Sequence, residues 1–178
     1  MSTQQVVYID TNVFALILLP HPPSQNPRIN QAKNFILDIE SGKYRGITST
    51  LTETEFRGVA KKTISKVKKG PITLAEEKAA MDNLIRFIQQ LGIGLMDADL
   101  FAGRDISGRL KIFRESGNTV RRSQPILVNN EWRMIRSVDS LMISIAKRIG
   151  AVLFATFDQG FKGFKDSIIT PLIISDVY

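Results

Sequence analysis

Four acidic residues stand where chemistry could be done. They are Asp10 in Tyr8-Ile9-Asp10-Thr11-Asn12, Glu55 in Thr52-Glu53-Thr54-Glu55-Phe56, Asp139 in Ser137-Val138-Asp139, and Asp158 in Ala155-Thr156-Phe157-Asp158. Asp10 and Asp158 follow short apolar runs of the kind that form buried strands, and Glu55 and Asp139 fall early in helical patterns. Ligands of open parallel sheets bind beyond the carboxyl ends of the strands. If the strands are neighbours, the four carboxylates converge at one end of the sheet. Packed together they cannot all stay ionised, because like charges and burial both raise carboxyl pKa values. A bound divalent cation resolves the conflict, and oxygen-only ligands favour Mg²⁺ or Mn²⁺. Such metals polarise phosphoryl oxygens and activate water. The chemistry implied is metal-dependent cleavage of a phosphodiester.

Each acid also has a plainer reading. Asp10 could cap the following helix or make an Asx turn. Glu55 pairs with Thr52 as a capping box, and Thr50 with Glu53 is an equally good one. Asp139 in a first helical turn suits the helix dipole whatever its task. Asp158 could be a solvated loop residue. It is their joint placement that points to a site.

Composition narrows the alternatives. The chain of 178 residues contains no cysteine and one histidine, His21. Thiolate zinc sites and zinc sites with two or more imidazoles are therefore excluded. Twenty-four basic against seventeen acidic residues give a net charge of +7, which suits a polyanionic partner such as nucleic acid. The longest apolar run, residues 13–19, is far short of the ~20 that a membrane helix needs. No basic residue precedes Arg28, which argues against a signal peptide, so a cytoplasmic protein without a membrane partner is expected.

The elements that must position these acids follow from periodicity. Strands are expected at residues 6–9, 45–49, 93–96, 151–155 and 172–174. Between them, Ala32, Phe35, Ile36 and Ile39 share one helical face before Gly42. A helix opening near Thr50 or Thr52 runs to about Lys69, ahead of Gly70-Pro71. Thr73 and Glu76 cap a helix with Leu84, Ile85, Ile88 and Leu91 on one stripe. Ser137 is expected to cap the helix that carries Asp139 and ends at Gly150. Pro20, Pro22, Pro23, Ser24 and Pro27 mark an irregular loop. This alternation predicts a single α/β domain over 1–178, with a parallel sheet covered by helices on both faces. Residues 107–136 fit it less well and read as a helical segment followed by an inserted hairpin turning at Asn129-Asn130.

At this point the chain resembles the PIN-domain ribonucleases, a family that includes VapC-like toxins of toxin–antitoxin pairs. The likeness rests on four blocks in order: residues 7–12 ending Asp10-Thr11-Asn12, residues 50–56 with Glu55-Phe56, residues 138–146 led by Asp139, and residues 150–161 with Thr156-Phe157-Asp158. It implies a three-layer α/β/α sandwich around a parallel sheet. It implies an endoribonuclease in which Asp10, Glu55, Asp139 and Asp158 are catalytic and hold one or two Mg²⁺ or Mn²⁺ ions, with Asn12 and Thr156 supporting them. Glu53 competes with Glu55, which is preferred because Phe56 follows it. RNA, a cognate antitoxin and a homodimer are the implied partners.

The 107–136 insert departs from a small toxin. Its Arg109, Lys111, Arg114, Arg121, Arg122, Arg133 and Arg136 offer either an RNA-contacting surface or a solvated face. Lys61, Lys62, Lys66, Lys68 and Lys69 are expected far from the acids, since their helix runs away from the site. Trp132 is expected to anchor its hairpin to the core rather than stack on a base. His21 has no assigned role. The competing classes are a non-catalytic RNA-binding, scaffold or RNA-processing protein and, less well supported, a phosphotransfer protein with Asp10 as nucleophile.

Overall fold

The computed structural model describes residues 4–21, 26–97 and 106–178, with the side chains of residues 106–111 and 113 left aside. The expectations for Pro22, Pro23, Ser24, and the side chains of Arg109 and Lys111 lie outside the described residues. Strand β1 (Gln5–Ile9) runs through the middle of the sheet. Val7 and Ile9 join one core and Tyr8 the other, and all three are wholly buried. That is the signature of a parallel strand covered on both faces.

Strands β2 (Tyr44–Ser49) and β3 (Gly94–Met96) lie on one side of β1. On the other lie two strands from late in the chain, numbered β6 (Leu153–Thr156) and β7 (Thr170–Ile173) after the hairpin strands described below. The order is β3-β2-β1-β6-β7 and every pairing is parallel. Helices α1 (Thr11–Leu18), α2 (Pro27–Glu40), α3 (Thr50–Lys68) and α4 (Leu74–Gln90) contribute to the first core, through Phe14, Phe35, Phe56 and Leu84 among others. Helix α6 (Ser137–Arg148) covers the opposite face with Met142, Ile143 and Ile145, and α5 (Ile106–Arg122) packs against α6. A short α7 (Ile174–Val177) follows β7. The result is the three-layer α/β/α arrangement expected.

Local differences have local causes. The apolar run at 13–19, considered above only as a membrane span, forms α1 and buries Val13 and Phe14. Pro27 is not part of the loop: it opens α2, where its missing N–H costs nothing, behind Asn26, whose side chain accepts from the Arg28 N–H. Neither capping box proposed for α3 forms, because the helix begins at Thr50 behind Ser49, whose side chain makes no capping bond. Ser137 is not a cap either. It is the first helical residue, Arg136 precedes the helix, and Asp139 accepts the Arg136 N–H at 2.9 Å. Thr73 and Glu76 do form their reciprocal box. Ile85 leaves the buried stripe of α4 and is partly exposed, whereas Leu84 and Ile88 are buried.

The insert ends in the expected hairpin, β4 (Ile126–Val128) and β5 (Glu131–Arg133). Asn129 and Asn130 have φ of 51° and 62°, as a two-residue hairpin turn requires. Trp132 does not anchor it: its side chain is 73% exposed, opposite Leu127 at 57%. No helix among the described residues is long and apolar enough to cross a membrane.

Candidate active site

The strand order reverses direction at β1: the chain builds outward through β2 and β3, then returns to the far side of β1 with β6. A crevice forms beyond the carboxyl ends of such a pair of strands. Asp10 follows β1 and Asp158 follows β6, so both lie at that crevice, joined by the Asp10 N–H to Ala155 carbonyl bond of 3.0 Å. Glu55 comes to the same place from α3 and Asp139 from the first turn of α6. All four line one open groove of about 690 Å³. Glu53 does not line it and pairs instead with Arg57.

The plain reading of Asp10 fails, since it precedes α1 but its side chain makes no capping hydrogen bond. Its Oδ2 accepts from Asn12 Nδ2 and Thr156 Oγ1, each at 2.6 Å. Asn12 Nδ2 also reaches Thr156 Oγ1 at 2.9 Å, and Asn12 Oδ1 accepts the Phe157 N–H. Glu55 Oε2 accepts from Thr11 Oγ1 at 2.7 Å, a tie between α3 and the residue after Asp10. The plain reading of Asp139 is fulfilled alongside its place in the groove, whereas Asp158 is half-buried and not a solvated loop residue. Asp139 accepts at its helix start, and Asp158 Oδ1 accepts the Gly160 N–H to open a single 3-10 turn (Gln159–Gly163).

Burial and mutual repulsion shift two of the acids strongly. Asp10 is pushed up to about 7, by loss of solvent first and then by the charges of Asp139 and Glu55, against the opposing Thr156 hydrogen bond. Asp139 is raised to about 6, again by burial first and then by Asp158 and Glu55. Two carboxyls that resist ionisation at one groove form a site that gains from a cation.

The donors suit a hard divalent ion in kind, being oxygens only. In each of the four acids the side-chain and capping bonds fall on one oxygen, leaving the other with no side-chain donor among the described residues. Still, among the described residues no group of three or more His, Asp or Glu is drawn together as a metal cage. Glu55, Asp139 and Asp158 are each tied to a neighbour, Thr11, Arg136 and Gly160, so closing on an ion would require these side chains to move.

The groove corrects the sequence reading on its cations. Lys62 was expected far from the acids, yet it lines the groove with His21 and Arg28. A signal for it existed: Glu55, Val59 and Lys62 are spaced i, i+4, i+7 and share one face of α3. The same spacing puts Lys62 only ~10 Å along the helix from Glu55. Of the insert's arginines, Arg133 and Arg136 line the groove, whereas Arg121 and Arg122 do not. Arg121 is exposed at the end of α5, and Arg122 borders a separate cavity with Glu115 and Lys147.

A family model described as PIN domain matches residues 7–166. No curated protein matches the chain.

Proposed function

The chain belongs to the PIN-domain family, and we propose that it is an endoribonuclease that uses Mg²⁺ or Mn²⁺ at Asp10, Glu55, Asp139 and Asp158. Members of that family are generally nucleases that depend on divalent metal ions and act on RNA. The observation that carries the finer reading is the convergence of Asp10 and Asp139, both resisting ionisation, in a groove that also holds Lys62, Arg28 and Arg136. Lys62 and Arg28 make no ion pair among the described residues, and Arg136 acts on Asp139 through its charge without pairing with it, which leaves these cations to a polyanion. A nuclease needs both, since cations hold the phosphate backbone while the acids hold the metal.

Asp10 is the central ligand in this scheme. Asn12 and Thr156 fix its Oδ2 and leave its other oxygen directed by that clamp. Asp139 is the second ligand, and Glu55 and Asp158 complete the set or orient the attacking water. When bound, the cation supplies Lewis acidity toward a phosphoryl oxygen and toward water. Lys62 and Arg136 bind the flanking phosphates.

The test is cleavage of a mixed RNA pool, in Mn²⁺ or in EDTA, by the wild type and by Asp10→Asn and Asp139→Asn. Cutting that needs the metal and is lost in both variants is the expected result. Metal-independent cutting, or full activity in both variants, would remove these acids from the chemistry.

A further inference from the structure

The hairpin made by β4 and β5 is docked by one face and bare on the other. Gln124, just before it, donates its N–H to the Gly163 carbonyl at 3.1 Å, and β4 packs on the 3-10 turn that Asp158 opens. Successive strand residues point to opposite faces. Ile126, Val128 and Arg133 therefore share one side, and Arg133 lines the acidic groove. Leu127 and Trp132 pair directly across the strands on the other side and stand out from the protein. The turn residues Asn129 and Asn130 hold this arm in a defined register.

We infer that Trp132 is a nucleobase-stacking platform that seats an unpaired base of the RNA next to the groove. This rests on the nuclease reading above for the identity of the strand, and adds a specificity residue to it. A strand whose phosphates are held by Arg136, and by Arg133 in exchange for its exposed 3.1 Å pair with Glu131, rounds the edge of the hairpin, where its next base meets the indole. Leu127, Trp132 and the adjoining Met134 expose at most a few hundred Å², well below the ~800 Å² per partner that a stable protein interface covers. One base covers the indole face. The charge fits as well, because the polyanion that the cations hold carries flat apolar faces every nucleotide. A paired base is stacked in its helix and cannot reach the platform, so the arm selects RNA that is single-stranded at this point.

Trp132 is the only tryptophan in the chain, so intrinsic fluorescence reports on it alone. The probe is a fluorescein-labelled or unlabelled 12-nucleotide oligouridylate in EDTA at low salt, compared with a 12-base-pair RNA duplex and with inorganic polyphosphate. Saturable quenching by the single strand is expected, with little quenching by the duplex or by polyphosphate. Trp132→Ala should weaken single-strand binding about tenfold with an unchanged melting temperature, and Trp132→Phe should retain most of the affinity. Binding of the labelled strand with unchanged tryptophan emission would overturn the proposal, as would equal quenching by the duplex or no binding at all. So would a dimer in sedimentation that Trp132→Ala dissolves, since the face would then belong to a second copy. Because the binding measurement needs no metal and no cutting, stacking without metal-dependent cleavage would refute the nuclease reading and leave this one standing.

Discussion

Thr156 donates its hydroxyl proton to Asp10 Oδ2 over 2.6 Å, across 146 positions of sequence. The same hydroxyl oxygen accepts the Asp158 N–H at 3.0 Å and Asn12 Nδ2 at 2.9 Å. One buried side chain thus fixes two carboxylates relative to each other, Asp10 by its carboxyl and Asp158 by its backbone. The site is held by the β1–β6 pairing as much as by its own residues.

Removing that hydroxyl tests the clamp. Thr156→Val keeps the volume but leaves the Asp158 N–H without its acceptor and Asp10 with one donor, Asn12, in place of two. A loss of roughly 1–3 kcal/mol is expected from thermal or denaturant unfolding. RNA cleavage should fall by at least tenfold, and Thr156→Ser should restore most of both.

Asp10→Asn should behave in the opposite way toward stability. A carboxyl that titrates near 7 rather than 3.8 costs up to ~4 kcal/mol when forced to ionise in the folded protein. The amide removes that cost and keeps a group of the same shape. The melting temperature in EDTA should hold or rise while cleavage is lost. A drop of several degrees would make Asp10 a structural residue.

The pH dependence has a definite sign. Asp10 and Asp139, at about 7 and about 6, bind protons more tightly in the folded state than at their ordinary value of 3.8. Between pH ~4 and ~7 the folded protein therefore holds more protons than the unfolded chain, and stability falls as pH rises. Glu76 works the other way, held down to about 2 by the Lys68 ammonium and the Thr73 cap, but its contribution is lost only as pH falls below its ordinary 4.5. The metal-free melting temperature should decline from pH 5 to 7 in the wild type and decline less in Asp10→Asn. Added Mn²⁺ should flatten the wild-type curve.

Lys62 is separable from its neighbours on α3. Lys68 is tied to Glu76 and Lys61 to Glu77, whereas Lys62 has no ion pair among the described residues and lines the groove. Lys62→Ala should weaken binding to all RNA sequences alike and lower the salt slope by about 1. Lys66→Ala, outside the groove, should change neither. Fluorescence anisotropy against salt concentration reads both.

Gly163 holds the hairpin close. A Cβ there would lie 2.1 Å from the Gln124 carbonyl and 2.9 Å from Ile126 Cγ2. Both contacts are too short, and one is with backbone. Gly163→Ala should push the arm outward, raise amide exchange at residues 124–133, and reduce single-strand affinity more than the rate of cutting at saturation.

Much of the architecture was legible in the sequence because it is written in short-range periodicity. Val7, Tyr8 and Ile9 read as a buried strand, and Ala32, Phe35, Ile36 and Ile39 as a helix face. The Thr73–Glu76 box and the Asn129-Asn130 turn read directly, since each depends on residues within a few positions. The meeting of Asp10 and Asp158 was legible too, because strand ends at a parallel sheet point one way, and Glu55 and Asp139 line the same groove from their helices. What sequence left open was settled by contacts between distant segments. The spacing of Glu55, Val59 and Lys62 puts them on one face of α3, but only the packing of α3 beside α1 turns that face to the groove. Periodicity put Leu127 and Trp132 on one face of a ribbon and Arg133 on the other, but it carries no information on which face turns inward. The docking of Gln124 on Gly163 makes that choice, turning Arg133 to the groove and leaving Trp132 to solvent. Patterns of period 2 and 3.6 record which residues share a side, and only the tertiary partner determines what that side meets.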